Sequence, residues 1–534
     1  MTNTLHGKNI IAGEPSDDGA HGTRAVNPAT GQHLEPEFTH ATEAEVQRAA
    51  EQAEKAQEDL LRLGSAPRAR LLRRIAEEIM ALGDPLIDRC HLETALPKGR
   101  LVSERSRTVN QLLLFADLLQ EGSWVDARID TAIPDRTPNP RPDLRRMLIP
   151  IGPVAVFCAS NFPLAFSVAG GDTASALAAG CPVIVKAHGS HPGTAELVAS
   201  AISRAIKAEK MPPGVFALLH GPGRTVGIQL VIHPLIKAAG FTGSRQAGRA
   251  LFDAAAARPE PIPVYAEMGS INPVFLLPQA LRERVKEIAD GLSASVTLGV
   301  GQFCTNPGLV VGLDSDELEA FIRQTGLLFR DAPVEVMLNA RIHQAYHQGS
   351  TKLRAQEGVE VSGQASSVSD PDHLQSRPAL FASDGRTFLD NPLLREEVFG
   401  PSSLVIRAQN REQLLRIAAT LKGHLTASIH GSEQDLLEYC DLTAVLQRNV
   451  GRLIFNGFPT GVEVCPAMNH GGPYPATTDS HFTSVGTAAI YRFARPVCFQ
   501  GFPEHVLAPE LQDKNPLGIL RQINGRYTRD PVSS

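Results

Sequence analysis

Cys304 lies in the segment GQFCTNPGLVV, among small residues and turn formers. A nucleophilic thiol needs access, a lowered pKa and room for an incoming carbonyl group, and Gly301 and Gly308 would leave that room. Taken alone, a cysteine before an apolar strand is more often a buried packing residue, and the other six cysteines are interpreted in that way. Cys304 is therefore a candidate nucleophile that needs partners elsewhere in the chain.

Two further segments contain side chains that could assist a thiol. Glu267 lies in PVYAEMGSINPVF, an apolar, small-residue setting in which we expect a raised pKa and a general-base role. The alternative is a glutamate paired with a nearby arginine. Asn161, in ASNFPLAF, is predicted where a strand ends and a helix opens, so its amide could stabilise an oxyanion or simply cap the helix.

The elements around these residues alternate between strand and helix. VAVFCA, PVIVK and VFALLH are apolar strand patterns, and small-residue or amphipathic helical patterns separate them. Such alternation predicts a parallel sheet covered on both faces, a doubly wound dinucleotide-binding design. Before it, residues 41–64 predict a long helix that begins with Thr42 and Glu45 spaced as a capping box. A second α/β region is expected after Gly269.

Three glycines follow the strand VFALLH, as expected of a loop that approaches a phosphate. Gly221, Gly223 and Gly227 are spaced one residue wider than the GxGxxG fingerprint, so the pattern alone is weak evidence.

Composition excludes several classes of function. The 534 residues carry a formal net charge of −6 and are 43% hydrophobic, which gives no electrostatic case for nucleic acid or an anionic membrane. The N-terminus has no apolar run long enough for a secretory signal or a membrane span. Seven cysteines without close spacing favour a reducing cytoplasm over a disulfide framework. The sequence has no CxxC pair, and we expect no metal.

Six motifs together resemble the aldehyde dehydrogenase superfamily: SNFPLA, KAHGSHP, FTGSRQAG, EMGSINPV, GQFCTNPG and EEVFGP. They stand in the family's order between about residues 25 and 495. The resemblance implies that Cys304 attacks an aldehyde and that the side chain of Asn161 and the backbone amide of Cys304 form the oxyanion hole. After hydride transfer to a nicotinamide, Glu267 would activate the water that hydrolyses the thioester.

The resemblance also implies the cofactor contacts. Lys186 matches the family's adenosine-ribose lysine, and three residues later Gly189 stands where NAD-preferring members usually have glutamate. Without a carboxylate at this position, no charge repulsion would exclude a 2′-phosphate. Arg224 could bind that phosphate through paired N–H groups. The alternative is that Arg224 is a solvated charge on a loop. We therefore expect NADP as the preferred cofactor, with NAD possible. Further matches to cofactor contacts are Ser244, Glu397 and Phe399.

Two departures from the common family pattern indicate the substrate. Gly170 and Asp172 occupy the region of a usual lysine, and MNHGGPYPATTDSHFTSVG replaces the usual tail. Both resemble a branch with 2-oxoglutarate semialdehyde (2,5-dioxovalerate) dehydrogenases and NADP-dependent long-chain aldehyde dehydrogenases, and the first is the better match. Arg107 would then anchor the anionic substrate, with Arg105 a poorer candidate and a surface ion pair the alternative.

Phe162 and Phe166 are expected to form the apolar wall of the substrate pocket. Two other functions stay open. A fatty-aldehyde dehydrogenase would have an apolar tunnel without a buried arginine, and a catalytically silent member would serve as an NADP-binding protein.

The fold class implied by the resemblance is α/β: a Rossmann-like cofactor domain, an α/β catalytic domain and a β-flap for oligomerisation. The predicted division assigns residues 1–134 and 151–268 to cofactor binding and 269–470 to catalysis. Residues 135–150 and 471–500 would form the flap, by combining the segment near 144–150 with one near 487–493. Residues 501–534 form a C-terminal tail without an assigned role. We expect a homodimer or homotetramer with a small-molecule aldehyde substrate, and neither nucleic-acid nor membrane partners.

Overall fold

The first long helix begins where the capping box predicts it. The computed structural model describes residues 5–532, and in it α1 runs over Glu43–Leu63, with Thr42 and Glu45 exchanging the two capping hydrogen bonds. Three more helices follow: α2 (Ser65–Ala81), α3 (Gly83–Thr94) and α4 (Lys98–Glu121). The Pro192–Ala208 helix packs against α2 and α3, so these helices cover one face of the first sheet.

The first half of the chain contains eleven strands, which in chain order are β1 (Asn9–Ile11), β2 (Glu14–Ser16), β3 (Gly22–Val26), β4 (His33–Thr39), β5 (Arg128–Asp130), β6 (Leu144–Pro150), β7 (Val154–Phe157), β8 (Val183–Lys186), β9 (Phe216–Leu219), β10 (Ala238–Thr242) and β11 (Val264–Glu267). Seven of them form one sheet in the order β11-β10-β7-β8-β9-β1-β2, in which β7 to β11 run parallel. The helices among them are α5 (Gly171–Ala179), α6 (Pro192–Ala208), α7 (Ile228–Ile232) and α8 (Arg245–Ala256). The predicted parallel, doubly wound sheet is confirmed.

A second seven-stranded sheet follows residue 269. The strands of this half are β12 (Val274–Leu276), β13 (Leu309–Leu313), β14 (Glu335–Val336), β15 (Glu360–Gln364), β16 (Gln375–Ser376), β17 (Ala379–Asp384), β18 (Ser402–Ala408), β19 (His424–His430) and β20 (Val450–Phe455). The helices are α9 (Pro278–Thr297), α10 (Asp316–Asp331), α11 (Ala340–Arg354), α12 (Gly385–Asp390), α13 (Arg411–Thr420), α14 (Glu433–Glu438) and α15 (Cys440–Asn449). The sheet order is β15-β17-β18-β13-β12-β19-β20, and separate apolar clusters cover its two faces.

A third sheet corrects part of the predicted flap. Its order is β21-β6-β5-β22-β23, with β21 (Ala494–Gln500), β22 (Arg521–Ile523) and β23 (Arg526–Thr528). The strand that pairs with β6 therefore starts at residue 494, whereas residues 487–493 form a 3-10 helix. The C-terminal tail supplies two strands of this sheet. Residues 471–486, assigned to the flap from sequence, instead lie against β11, where the backbone amide of Met268 donates to the carbonyl of Ala476.

The segment between β7 and α5 also differs from the prediction. We expected a helix to open at the ASNFPLAF segment, but residues 161–170 form turns and α5 begins only at Gly171. Asn161 is therefore a loop residue and does not cap a helix. Among residues 5–532, no helix combines the length and the apolar character that a membrane crossing requires.

Candidate active site

The loop that carries Cys304 is held in an unusual backbone conformation. Gly299, Val300 and Gly301 all have positive φ angles, of 55°, 58° and 63°. For a β-branched residue such as Val300 this conformation is strained, and it persists only where the surroundings fix it. The side-chain amide of Asn272 fixes the next turn by donating to the carbonyl oxygens of Cys304 and Asn306, each at 2.9 Å. The thiol is thus presented by a rigid loop.

Asn161 lies against this loop from the other half of the molecule. Its side-chain amide donates to the carbonyl oxygen of Gln302, two residues before Cys304, at 3.1 Å. The amide group carries two hydrogens, so one remains to meet an oxygen atom near the thiol. Helix α4 stabilises the loop of Asn161, since the Arg100 guanidinium group donates to the Asn161 carbonyl oxygen at 2.7 Å.

Glu267 ends β11 and is almost fully buried, with 3% of its surface exposed. One carboxylate oxygen, Oε1, lies 2.9 Å from Nε2 of His470, and the other accepts a hydrogen bond of 2.5 Å from the Ser484 hydroxyl. Burial by itself would raise the pKa of this carboxyl group. The charge and hydrogen bond of His470, with the hydrogen bonds of Ser484 and Cys304, outweigh burial and lower the pKa. The raised pKa predicted from the apolar sequence is therefore wrong.

For the Cys304 thiol, the surroundings raise the pKa instead of lowering it. Burial raises its pKa well above the ordinary value, and the adjacent Glu267 carboxylate raises it further, whereas the Arg107 cation opposes the rise. The resting residue is therefore a thiol, and a nearby base must take its proton before it can attack. Nε2 of His470 lies 3.5 Å from the sulfur atom, so one imidazole nitrogen is within reach of both Cys304 and Glu267.

His470 is the site residue that the sequence did not predict. It is 1% exposed and lies 166 residues from Cys304 and 203 residues from Glu267 in the chain, so no local spacing could connect them. The available signal was the altered tail motif NHGG, which was interpreted as a mark of substrate class. Sequence spacing gave no metal cluster, yet the fold brings three metal-ligating side-chain types together here.

Arg107 lies where an anion anchor was predicted. Its guanidinium group stacks over the rings of Phe162 and Phe166, at 5.7 and 5.4 Å from their centroids. Burial lowers its pKa, and the acidic groups acting on it include Glu104, Cys304 and Glu267, so it lies on the active-site side of α4. Arg105 instead donates to the carbonyl oxygen of Gly83 at 2.9 Å and belongs to another face.

Phe162 and Phe166 belong to an apolar cluster with Val462, Val464 and Val485. Their rings pack edge to face, with centroids 5.4 Å apart, and Phe162 makes a similar contact with Phe303 beside the thiol. The predicted apolar wall therefore lies next to Cys304.

The predicted adenosine-side residues lie at the carboxyl ends of neighbouring parallel strands. Lys186 ends β8 and is buried, which lowers its pKa. Gly189 follows in an exposed turn, and a Cβ atom added there would meet no atom within 4 Å. Beside it, after β9, Gly223–Gly227 form one π-helical turn that includes the exposed Arg224. Gly221 has φ 132°, and a side chain there would collide with Val226, so the tight turn requires glycine.

The remaining predicted cofactor residues are Ser244, Glu397 and Phe399. Ser244 is exposed at the N-terminus of α8, where unpaired backbone N–H groups favour an anion. Glu397 and Phe399 line a pocket with Ser270 and Asn306. The Glu397 residue is exposed, but its carboxyl group lies against Gly269, and desolvation there raises its pKa to about 7.

Comparison with known proteins places this geometry in context. An alpha-ketoglutaric semialdehyde dehydrogenase 2 from Azospirillum brasilense is 50% identical over 523 residues, which cover 98% of this chain and 99% of that protein. An alpha-ketoglutaric semialdehyde dehydrogenase from Acinetobacter baylyi is 46% identical, with 98% and 99% covered.

Solved structures are similar in fold at lower identity. A betaine aldehyde dehydrogenase from Staphylococcus aureus, in complex with NAD+, has a TM-score of 0.79 at 18% identity and covers 94% of this chain and 96% of its own. An aldehyde dehydrogenase C variant from Pseudomonas syringae, with NAD+ and octanal, has a TM-score of 0.78 at 22% identity, with 94% and 99% covered. Residues 15–474 match the aldehyde dehydrogenase family. The chain therefore belongs to the aldehyde dehydrogenase family.

Proposed function

We propose that this chain oxidises 2,5-dioxopentanoate (2-oxoglutarate semialdehyde) to 2-oxoglutarate through a thioester on Cys304, with NADP as the preferred cofactor. The reaction consumes one water and one NADP+ and yields NADPH and two protons. The observation that carries the proposal is the 50% and 46% identity, over nearly the full length, to two semialdehyde dehydrogenases of this specificity.

The chemistry begins with the proton of Cys304. Glu267 is held as a carboxylate beside the thiol, so it is the base that accepts this proton. The sulfur then attacks the aldehyde carbon and forms a thiohemiacetal. The amide of Asn161 and the backbone amide of Cys304 stabilise the negative charge that develops on the carbonyl oxygen.

A bound nicotinamide would supply the hydride acceptor, and loss of hydride from the thiohemiacetal carbon would leave a thioester on Cys304. Glu267 next takes a proton from a water molecule, which attacks the thioester carbonyl. His470 and Ser484 hold the carboxylate in its ionised form, on opposite oxygens, while this happens. His470 can also donate to the sulfur as it leaves, because Nε2 lies 3.5 Å from it.

Arg107 gives the pocket its preference for an anionic aldehyde. The substrate has a carboxylate and a keto oxygen at the end opposite its aldehyde, and a guanidinium group can bind both through paired N–H groups. The stack on Phe162 and Phe166 holds the cation in place. A long-chain aldehyde has no group for this cation, so its binding would leave a desolvated charge without a partner.

Several residues support a dinucleotide with a 2′-phosphate as the cofactor. Lys186 would contact the adenosine ribose, and the open space at Gly189 leaves room for a phosphate beside the exposed Arg224. The turn at Gly221–Gly227 and the helix start at Ser244 would face the pyrophosphate. Glu397 and Phe399 would contact the nicotinamide ribose.

The test measures NADPH and NADH formation by the purified protein on 2,5-dioxopentanoate, succinic semialdehyde and a long-chain aldehyde. We expect the highest kcat/KM for the dioxo acid with NADP+. A Gly189→Glu variant should lose activity with NADP+ but keep it with NAD+, because the new carboxylate repels the phosphate. Preference for the long-chain aldehyde would refute the substrate assignment, and equal use of both cofactors by the wild type would refute the NADP preference.

We also propose a cytoplasmic homodimer or homotetramer, with β6 and β21 forming the flap between subunits. Supporting this, β21 is the edge strand of its sheet and presents backbone hydrogen-bonding groups that a second strand could pair with.

A further inference from the structure

We propose that Glu267, Cys304 and His470 together bind a zinc ion, and that this ion reversibly switches the enzyme off. Their ligand atoms, a carboxylate oxygen, a sulfur and an imidazole nitrogen, all lie within 4.8 Å of one another. The inference goes beyond the proposed oxidation, because metal binding at this site requires neither a particular aldehyde nor the cofactor.

The distances between the ligand atoms match a tetrahedral zinc site. With Zn–S near 2.3 Å and Zn–N and Zn–O near 2.05 Å, tetrahedral angles predict S···N of about 3.6 Å and N···O of about 3.3 Å. The structure has 3.5 Å between Cys304 Sγ and His470 Nε2, and 2.9 Å between His470 Nε2 and Glu267 Oε1. Adjustments of a few tenths of an ångström would seat the ion.

Charge also favours a divalent cation. A thiolate and a carboxylate side by side in a buried site repel each other, which is why Glu267 raises the pKa of the Cys304 thiol. Zinc would replace the thiol proton and neutralise both anions at once. Arg107 is the cation that opposes this binding, and its guanidinium group is stacked over the rings of Phe162 and Phe166.

The chemical types of the three ligands favour some metal ions over others. A thiolate and an imidazole favour zinc, cadmium or cobalt over magnesium and calcium, which take oxygen ligands. Three protein ligands leave the fourth position to water, as in an open zinc site. The bound sulfur cannot attack a carbonyl group and the bound carboxylate cannot accept a proton, so the metal form is inactive until a chelator removes the ion.

Cobalt(II) is the probe that reports the site directly. We would titrate the apo enzyme with Co2+ and follow the thiolate-to-cobalt absorption in the near ultraviolet and the visible bands of tetrahedral cobalt. One Co2+ should bind per subunit. Added Zn2+ should displace the Co2+ and remove its absorption bands. EDTA should then remove the metal and restore full activity.

Matched variants decide which residues bind. Cys304→Ser should abolish the ultraviolet band, whereas His470→Ala and the isosteric Glu267→Gln should each weaken metal affinity by at least tenfold. His481→Ala is the control, because His481 is exposed and its described hydrogen bonds, from its backbone amide and its imidazole, both go to the Asp479 carboxylate. Circular dichroism verifies that each variant is folded.

A band that persists in Cys304→Ser, or unchanged affinity in both other variants, would overturn the proposal. So would a wild-type enzyme that shows no cobalt band. Activity is measured on the same metal-free preparation, so failure of the oxidation and failure of the metal site give different results.

Discussion

His470 determines how the two reactive side chains share a small buried space. Cys304 must lose a proton, and Glu267 must be ionised to receive it, yet two adjacent anions repel each other. An imidazole nitrogen 2.9 Å from the carboxylate and 3.5 Å from the sulfur can donate to whichever of them is charged. The charge can therefore move between sulfur and carboxylate while one N–H group stays in place.

The first prediction concerns the pH dependence of thioester hydrolysis. His470 is the largest influence that lowers the pKa of Glu267 below its ordinary value of 4.5. His470→Ala removes it and leaves burial, which raises the pKa. Because hydrolysis needs the carboxylate, the acid limb of the kcat profile should lie at higher pH in the variant than in the wild type. Steady-state rates across pH, with His481→Ala as control, test this; coincident profiles would contradict it.

The second prediction separates the two arginines on α4. Arg107→Ala should raise KM for 2,5-dioxopentanoate about 10- to 100-fold, because charge-assisted hydrogen bonds contribute about 1.5–3 kcal/mol each. Arg105→Ala is the matched control, since that side chain donates to Gly83 away from the pocket. An uncharged short aldehyde should show little change with either variant. An equal KM effect in both variants would refute the anchor.

At the scale of elements, α4 supports the loop that carries Asn161. Arg100, Glu104 and Arg107 are spaced to lie on one face of the helix. Arg100 donates to the carbonyl of Asn161, and Glu104 accepts from the backbone amides of Leu164 and Ala165 at 2.8 and 3.0 Å. Desolvation raises the pKa of Glu104, against the attraction of both arginines and these two amides.

The third prediction tests this support. Glu104→Ala leaves two buried N–H groups without their acceptor and should let the Asn161 loop shift, so kcat should fall about tenfold or more with a smaller change in KM. Glu104→Gln keeps an acceptor oxygen and should restore most of the rate. Ser106→Ala, on the exposed side of α4, should behave as the wild type. A rate loss in the glutamine variant as large as in the alanine variant would contradict a positioning role.

The elements that the sequence predicts well are those governed by local rules. The capping box placed the start of α1, and the apolar runs placed β7, β8 and β9 to within a residue or two. Residues 161–170 were predicted poorly, because small apolar residues are compatible with a helix while tertiary contacts hold them as turns. The backbone amides of Leu164 and Ala165 bond to Glu104 on α4 instead of to a helix of their own.

The site residues that lie in short motifs could be predicted from the sequence. Those that only the fold brings next to the motif residues could not. Cys304, Glu267 and Asn161 were each singled out from short segments, and the structure brings them together. His470 and Ser484 reach Glu267 from more than 200 residues away. They also reverse the direction of its pKa shift, which an apolar sequence setting could not indicate.

At the scale of the whole molecule, the site lies where two sheets meet. Asn161 and Glu267 come from the first half of the chain and Cys304 from the second, so the reaction depends on how the halves pack. The third sheet joins residues 128–150 to the C-terminal part of the chain, because β6 pairs with β21 and β5 pairs with β22.

The fourth prediction concerns the C-terminal tail in this sheet. Arg521 is 1% exposed and donates to backbone carbonyl groups of Glu510, Gln512, Asp513 and Asp530. Arg521→Ala removes a buried side chain and the donor for these partly buried carbonyl groups, and should lower the free energy of unfolding by about 3 kcal/mol. Urea unfolding measures this, with the exposed Arg526→Ala as control. A variant as stable as the wild type would show that the tail adds little to the fold.

The central claim is that the aldehyde is oxidised while it is covalently bound to Cys304. Its most direct test is rapid mixing of the wild-type enzyme with 2,5-dioxopentanoate and NADP+, followed by acid quench within the first turnover and peptide mass spectrometry. Because the thioester forms before water hydrolyses it, we expect NADPH formation to be accompanied by an acyl adduct on the peptide that contains Cys304. NADPH production without that adduct, or an adduct on another cysteine, would contradict the account.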